Sequence, residues 1–289
     1  MSEHASAVRG KAGAAPRRGP GRLLLHAALL LLLLVFVLPM LWAVSSSFKA
    51  RSDIFSYPPQ LLPHPGTLAN YRSLLSEQPF WSWLLTSTVV AAAATVLAVG
   101  LCSLAGFAFA KYRFRGRNAL FQVMFSSMAV PLTVIVVPLF LMLAKAHLTA
   151  PWFALVVPWM TPAFGIFMMR QFTEQAIPDA LLDAARVDGC TEFTLFRRVV
   201  VPLLRPALGA LGVWSFLTSY NSFLWPLIVV SDPHRYTVPL GLQALFGAEG
   251  RSYDLVLAGA VLAALPSLLV FFLLRRQLLS GLTAGAVKS

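Results

Sequence analysis

Two groups of side chains in this chain are spaced so that they could do chemistry. The first is the stretch IPDALLDAARVDGCTEFTLFRRVVVP, residues 177–202, which crowds acids and arginines around Gly189. Pro178 suits a helix start, where no amide donor is needed, and Asp179 suits the positive end of the helix dipole. Leu181, Leu182 and Ala185 then fall on one helical face, and Gly189 is the left-handed stop. A second helix is expected from about Thr191 to Val201, broken by Pro202. Asp183 can pair with Arg186 one turn on or with a basic group on another protein. The second group is Trp214, Thr218, Asn221 and Trp225, whose spacings of four, three and four place them on one face of a single helix. Hydroxyl and amide groups between aromatic rings suit a sugar, with hydroxyls at its edge and C–H groups on its faces. The same residue types also hydrogen-bond between packed membrane helices, so a packing role is equally open.

Other chemistries lack their residues. The five histidines are scattered without metal-ligand spacing, and no G-x-x-x-x-G-K-[ST] loop is present for nucleotide hydrolysis. Ser126 and Ser127 have no intramembrane His, Lys or Asp to activate them as nucleophiles, which disfavours an intramembrane hydrolase. Cys102 falls in an apolar run and Cys190 in the charged stretch, and two such cysteines build no disulfide framework.

The elements that must position these groups follow from composition. Hydrophobic residues make up 58% of the chain and charged residues 12%, which describes a membrane protein. Apolar runs at about 23–47, 84–109, 119–144, 152–169, 204–230 and 255–274 approach or exceed the length that crosses roughly 30 Å of hydrocarbon. They lack the alternation of barrel strands, so the fold class expected is all-α and polytopic, with six transmembrane helices. The first run is longer than a signal-peptide core and others follow it, so it is expected to stay uncleaved.

With the N-terminus in the cytoplasm, 17 of the 23 Lys and Arg fall on inside segments and six outside, which places both termini in the cytoplasm. The net charge of +12 is then a basic rim facing anionic lipid rather than a nucleic-acid surface. The expected organisation is a disordered cytoplasmic tail (1–22), a first helix (23–47) and an extracytoplasmic segment (48–82). A transmembrane domain (83–276) holding the cytoplasmic loop 170–205 comes next, then a cytoplasmic C-terminal tail (277–289). Between the helix ends there is almost no ionisable side chain apart from His26, whereas ion-driven transporters need one at membrane depth. Uphill movement of a solute would need a partner's energy. Ala94, Ala98, Cys102, Gly106 and Ala110 form a small-residue stripe, and Gly259, Ala263 and Ser267 another; both read as close helix packing.

DAARVDGCTEFTLFRRVVVP resembles the cytoplasmic signature of ABC importer membrane subunits, E-A-A, three residues, G, nine residues, I-x-L-P. The matching positions are Asp183, Ala184, Ala185, Gly189, Val199, Val201 and Pro202, with Asp for Glu and Val for both Ile and Leu. TLANYRSLL, GFAFAKYRFRGR, SFLTSYNSFLWPLIV and GLTAGAVKS resemble the smaller membrane subunit of maltose-type carbohydrate importers, with Thr86 where Asn is expected. The resemblance implies a type I importer permease in a prokaryotic plasma membrane. It implies a second permease subunit, two ATP-binding subunits that hold ATP and Mg, an extracytoplasmic solute-binding protein, and no cofactor in this chain. The matched positions would then couple to the ATPase, and a loop at about 231–254 carrying Tyr236, Phe246 and Tyr253 would meet the binding protein. A permease for a non-sugar solute such as a glycerol phosphate compound is the alternative, ahead of a passive channel or an intramembrane enzyme.

Overall fold

The structure, a computed structural model, describes the backbone of residues 20–246 and 252–286, and all regular elements among them are helical. The tail read as 1–22 therefore lies almost wholly outside the described residues. Helix α1 spans Pro20–Ser46, α2 Ala69–Glu77 and α3 Phe80–Lys111. Then come α4 (Arg117–Ser127), α5 (Leu132–Lys145), α6 (Pro151–Val156) and α7 (Ala163–Ala176). The charged stretch forms α8 (Asp179–Val187), α9 (Glu192–Leu195) and α10 (Val201–Leu203), and the chain ends with α11 (Arg205–Tyr220), α12 (Leu224–Val229), α13 (Val238–Ala244) and α14 (Tyr253–Ala286). The segment read as a C-terminal tail from 277 continues α14 as backbone helix as far as Ala286.

The expectation of six single helices needs correction. Three helices, α1, α3 and α14, are by themselves long and apolar enough to cross a membrane. The third run divides into α4 and α5, which meet at 109°, and the fourth into the α6 segment and α7, which meet at 42°. The fifth divides at Asn221 into α11 and α12. Proline accounts for each division. Pro131 and Pro162 stand in extended backbone as the caps of α5 and α7, and Pro226 occupies the first turn of α12, where a helix uses no amide donor.

Helix α3 is the centre of the packing. Its small-residue stripe is buried, with Ala94, Ala98 and Cys102 at 0% exposure. A Cβ at Gly106 would lie 2.6 Å from Met169 Cβ and 2.7 Å from the Arg170 backbone nitrogen, so α3 and α7 touch backbone to backbone. Only a residue without a side chain permits that approach. Two apolar clusters flank it. One gathers Phe107, Met169, Leu182, Leu195, Val200, Leu204 and Leu211; the other gathers Val90, Val136, Leu155, Trp225 and Leu240. Helix α1 differs, presenting exposed leucines along most of its length, a surface suited to hydrocarbon. The chain after it folds back, because buried Asn70 donates to the carbonyls of Ser47 and Lys49, both at 2.8 Å.

Candidate functional site

The hairpin α8–α10 is built by local chemistry. Pro178 holds the extended N-cap of α8, and Asp179 occupies its first turn. At the other end Gly189 has φ +81, and the Cys190 amide reaches back to the Ala185 carbonyl at 3.0 Å. That six-to-one closure is the Schellman arrangement. A Cβ at Gly189 would meet nothing within 4 Å, so only the left-handed backbone demands glycine there. The Thr191 hydroxyl accepts the Thr194 amide and caps α9.

Pro202 does not break the second helix, contrary to expectation. A π-turn at Phe196–Val200 precedes it, and the helical path continues to Leu203 before turning by 80° into α11. Proline offers no N–H and its ring crowds the carbonyl one turn back; the wider π-turn accommodates both demands.

The faces of α8 also differ from the expected pattern. Leu182 and Ala185 are buried against the cluster around Phe107 and Met169, while Leu181 is 40% exposed. Leu181 thus leaves the face assigned to it, because one hundred degrees of helical rotation separates it from Leu182. Ala185 belongs to this chain's own core, and Ala184 faces outward. Val199 and Val201 are half-buried and Pro202 is exposed. The outward side carries Leu181, Ala184, Val187 at 87% exposure and Phe193 at 71%. Sequence reasoning missed Val187 and Phe193, whose signal was an apolar residue off the buried stripe of an otherwise polar hairpin.

Charges tie the hairpin together and to α3. Lys111 Nζ lies 2.7 Å from Asp179 Oδ1, across 68 residues of sequence. Arg186 spans the turn, donating from Nη1 to Asp183 Oδ1 at 3.0 Å and from Nε to Glu192 Oε1 at 2.9 Å. The Tyr112 hydroxyl also donates to Glu192. The bond from Arg186 holds the Glu192 carboxyl below its ordinary range, and Lys111 does the same for Asp179. The Arg186 guanidinium is raised, chiefly by its bond to Glu192, and the Tyr112 phenol is raised chiefly by burial. Asp183 is therefore satisfied within the chain. The array of paired charges fixes the shape of the hairpin surface.

Trp214, Thr218, Asn221 and Trp225 do not share one helical face. The helix ends at Tyr220, and Asn221 caps it by donating to the Leu217 carbonyl at 2.8 Å. Trp214 packs on Phe164, with ring centroids 4.7 Å apart. Thr218 spends its hydroxyl proton on the Trp214 carbonyl at 2.8 Å. Trp225 is 0% exposed in a different cluster, its indole N–H bonded to the Ala154 carbonyl at 2.8 Å. Asn221 instead lines a groove of about 410 Å³ with Leu217, Tyr220, Val238, Ala263 and Ser267. Ala263 and Ser267, read from sequence as packing residues, line this groove, while Ala263 also packs against the cluster of Leu74, Phe80 and Trp83 and Gly259 lies close against Leu242.

Of the residues assigned to the loop, Phe246 and Tyr253 come together, ring centroids 5.3 Å apart. Tyr253 also meets Phe55 at 4.9 Å, and Phe55 meets Trp42 at 6.4 Å, neither of which the sequence singled out. Tyr236 is half-buried apart from them, beside Trp225 and Val238. The loop centre, 247–251, lies outside the described residues.

Residues 102–278 match the family described as binding-protein-dependent transport system inner membrane component. The chain is 34% identical over 270 residues to the arabinooligosaccharides transport system permease protein AraQ of Bacillus subtilis, covering 92% of this chain and 96% of that one. It is 30% identical over 270 residues to the diacetylchitobiose uptake system permease protein DasC of Streptomyces coelicolor, covering 93% and 98%. Its fold matches a chain of a bacterial ABC transporter involved in import of the acidic polysaccharide alginate, with TM-score 0.77 and 21% identity over 91% of this chain and 99% of that one.

Proposed function

This chain belongs to the family of binding-protein-dependent transport system inner membrane components, and from that premise we propose that it is half of the translocation path of an ATP-driven importer for an oligosaccharide. The observation that carries the coupling part of this reading is the hairpin Asp179–Leu203. Its outward side chains Leu181, Ala184, Val187 and Phe193 are apolar and exposed, while Asp183, Arg186 and Glu192 pair with one another inside the hairpin. A surface of that kind suits a separate protein, here an ATPase subunit that binds ATP and Mg. A second permease subunit completes the path, and two ATPase subunits and an extracytoplasmic binding protein complete the machine.

The names of the two relatives support an oligosaccharide as solute. The groove at Asn221, with Tyr220 and Ser267, supplies the path surface; the amide and hydroxyl suit sugar hydroxyls. The proposed topology has six spans, α1, α3 and α14 as single helices and α4–α5, α6–α7 and α11–α12 as broken ones, with both termini in the cytoplasm of a prokaryotic cell, because the basic residues concentrate on that side. Loop 231–254, with Phe246 and Tyr253, faces the binding protein.

Proteoliposomes holding the complex that copurifies with this chain test the proposal. ATP sealed inside the vesicles, with the binding protein outside, should drive uptake of one labelled oligosaccharide from a panel of glycans and glycerol phosphate compounds. Uptake that continues without ATP would reject the importer reading. A single cysteine at Ser56 should react with an impermeant reagent added outside intact cells, and one at Ser289 should not; the reverse would reject the orientation.

A further inference from the structure

Among the described residues, α3 is the one membrane-length helix that proline does not interrupt. It runs 32 residues from Phe80 to Lys111 without an internal proline, whereas α1, α5 and α14 each contain one. At 1.5 Å per residue it is about 48 Å long. Both of its ends are fastened to elements that the proposed function assigns to other proteins.

At the cytoplasmic end Lys111 holds Asp179 at 2.7 Å and Tyr112 holds Glu192, which Arg186 ties to α8. Beneath this polar layer the Phe107 ring contacts Tyr112 and Phe196 at centroid distances of 5.4 and 5.6 Å. At the opposite end the Trp83 indole donates to the Pro233 carbonyl at 2.8 Å, Ser82 donates to the His234 carbonyl, and the Ser87 hydroxyl accepts the Val238 amide at 2.7 Å. Gly241 lies so close over Trp83 that a Cβ would sit 2.3 Å from the ring. Four contacts across some 150 residues of sequence therefore grip the 233–241 segment. Asp179 is 80% exposed, so its pair with Lys111 adds little to stability. Its effect is to fix register.

We propose that α3 is the rod that carries the state of the docked ATPase to the extracytoplasmic loop, with Lys111–Asp179 and Tyr112–Glu192 as its cytoplasmic clamp and Trp83, Ser82 and Ser87 as its grip on residues 233–238. This rests on the reading of the hairpin as the ATPase dock. Lys111, Tyr112, Asp179 and Glu192 are positioning residues. A displacement of α8 reaches the loop without passing through α7 or α11, because one unbroken helix connects them.

The test uses the complex that copurifies with the chain, in lipid nanodiscs, in a Cys102→Ala and Cys190→Ser background with Ser231→Cys as the probe. The readout is the labelling rate of that cysteine by a maleimide, with and without ATP and vanadate. The reference should change its rate about fivefold or more, the lower range for coupling between distant sites. Lys111→Glu should lose this response while the ATPase stays bound, and Lys111→Glu with Asp179→Lys should regain it. Trp83→Phe with Ser87→Ala, which leaves the cytoplasmic face untouched, should lose the response while ATP hydrolysis continues; this pair decides the matter if Lys111→Glu sheds the ATPase. A full response in Lys111→Glu or in the Trp83 and Ser87 pair would overturn the rod, as would a reference complex that binds nucleotide without responding. A reference preparation with no ATPase would reject the docking reading itself, and the rod with it.

Discussion

The hairpin at Asp179–Leu203 and the segment at Arg205–Val229 adjoin in sequence, and each contains a proline with the opposite consequence. Pro202 sits in a helical path that continues past it, after a π-turn. Pro226 sits in the first turn of a new helix, and the chain breaks at Asn221 ahead of it. At Pro202 the widened turn receives the proline ring, whereas at Pro226 a fresh helix start does. The two regions also differ in what holds them. The hairpin relies on exposed ion pairs above a small buried face, whereas the membrane-depth region relies on close approach and buried hydrogen bonds. Substitutions at the buried contacts of the second region should therefore be costly, and those at the exposed ion pairs of the first mild.

The largest effect is expected at Gly106, against the Met169 Cβ and the Arg170 backbone. Gly106→Leu should cost about 3 kcal/mol or more by forcing α3 from α7, read as a lowered thermal midpoint in detergent. A midpoint close to wild type would show the interface to be looser than described.

Trp225→Phe should cost about 2 kcal/mol, because the Ala154 carbonyl is left buried without its donor. Asn221→Ala, at an exposed cap, should cost no more than about 0.5 kcal/mol. Equal losses at the two positions would remove the distinction between buried and groove-lining residues. Gly189→Val should cost about 1–2 kcal/mol through its left-handed backbone alone, since no neighbour crowds it. The chain should still insert in the membrane, with ATPase retention on purification reduced.

These differences mark what was legible in the sequence. Pro178, Asp179 and Gly189 act through backbone geometry within one or two turns, so their types and spacing carried the hairpin's limits. The π-turn was not legible, since Phe196–Val200 contains no residue type that demands one. Hydropathy saw 204–230 as one run because Asn221–Phe223 is too short to lower an average, although Pro226 carried the signal for a fresh start. The face assignment of Trp214, Thr218, Asn221 and Trp225 failed with that helix. Which side of α8 faces inward depended on Phe107 and Met169, far away in sequence.

The smallest effect concerns pH. The Glu192 carboxyl is lowered by Arg186, so its contribution to stability is present above the ordinary glutamate value, about 4.3, and is lost as pH falls through the lowered folded value. The difference in thermal midpoint between wild type and Glu192→Gln should be flat from neutral pH to about 5 and close only in stronger acid. A difference that vanished near neutrality would show that the Arg186 bond does not govern this carboxyl.

The central claim is that the outward face of α8 docks a separate ATPase. Ala184 is exposed and Ala185 is buried in this chain's own core, so adjacent positions separate docking from folding. The most direct measurement is the amount of ATP-binding subunit recovered with the affinity-tagged chain, for wild type and for Ala184→Trp. Wild type should bring the ATPase down, and Ala184→Trp should lose it while keeping a wild-type thermal midpoint. Undiminished recovery with Ala184→Trp would contradict the docking assignment.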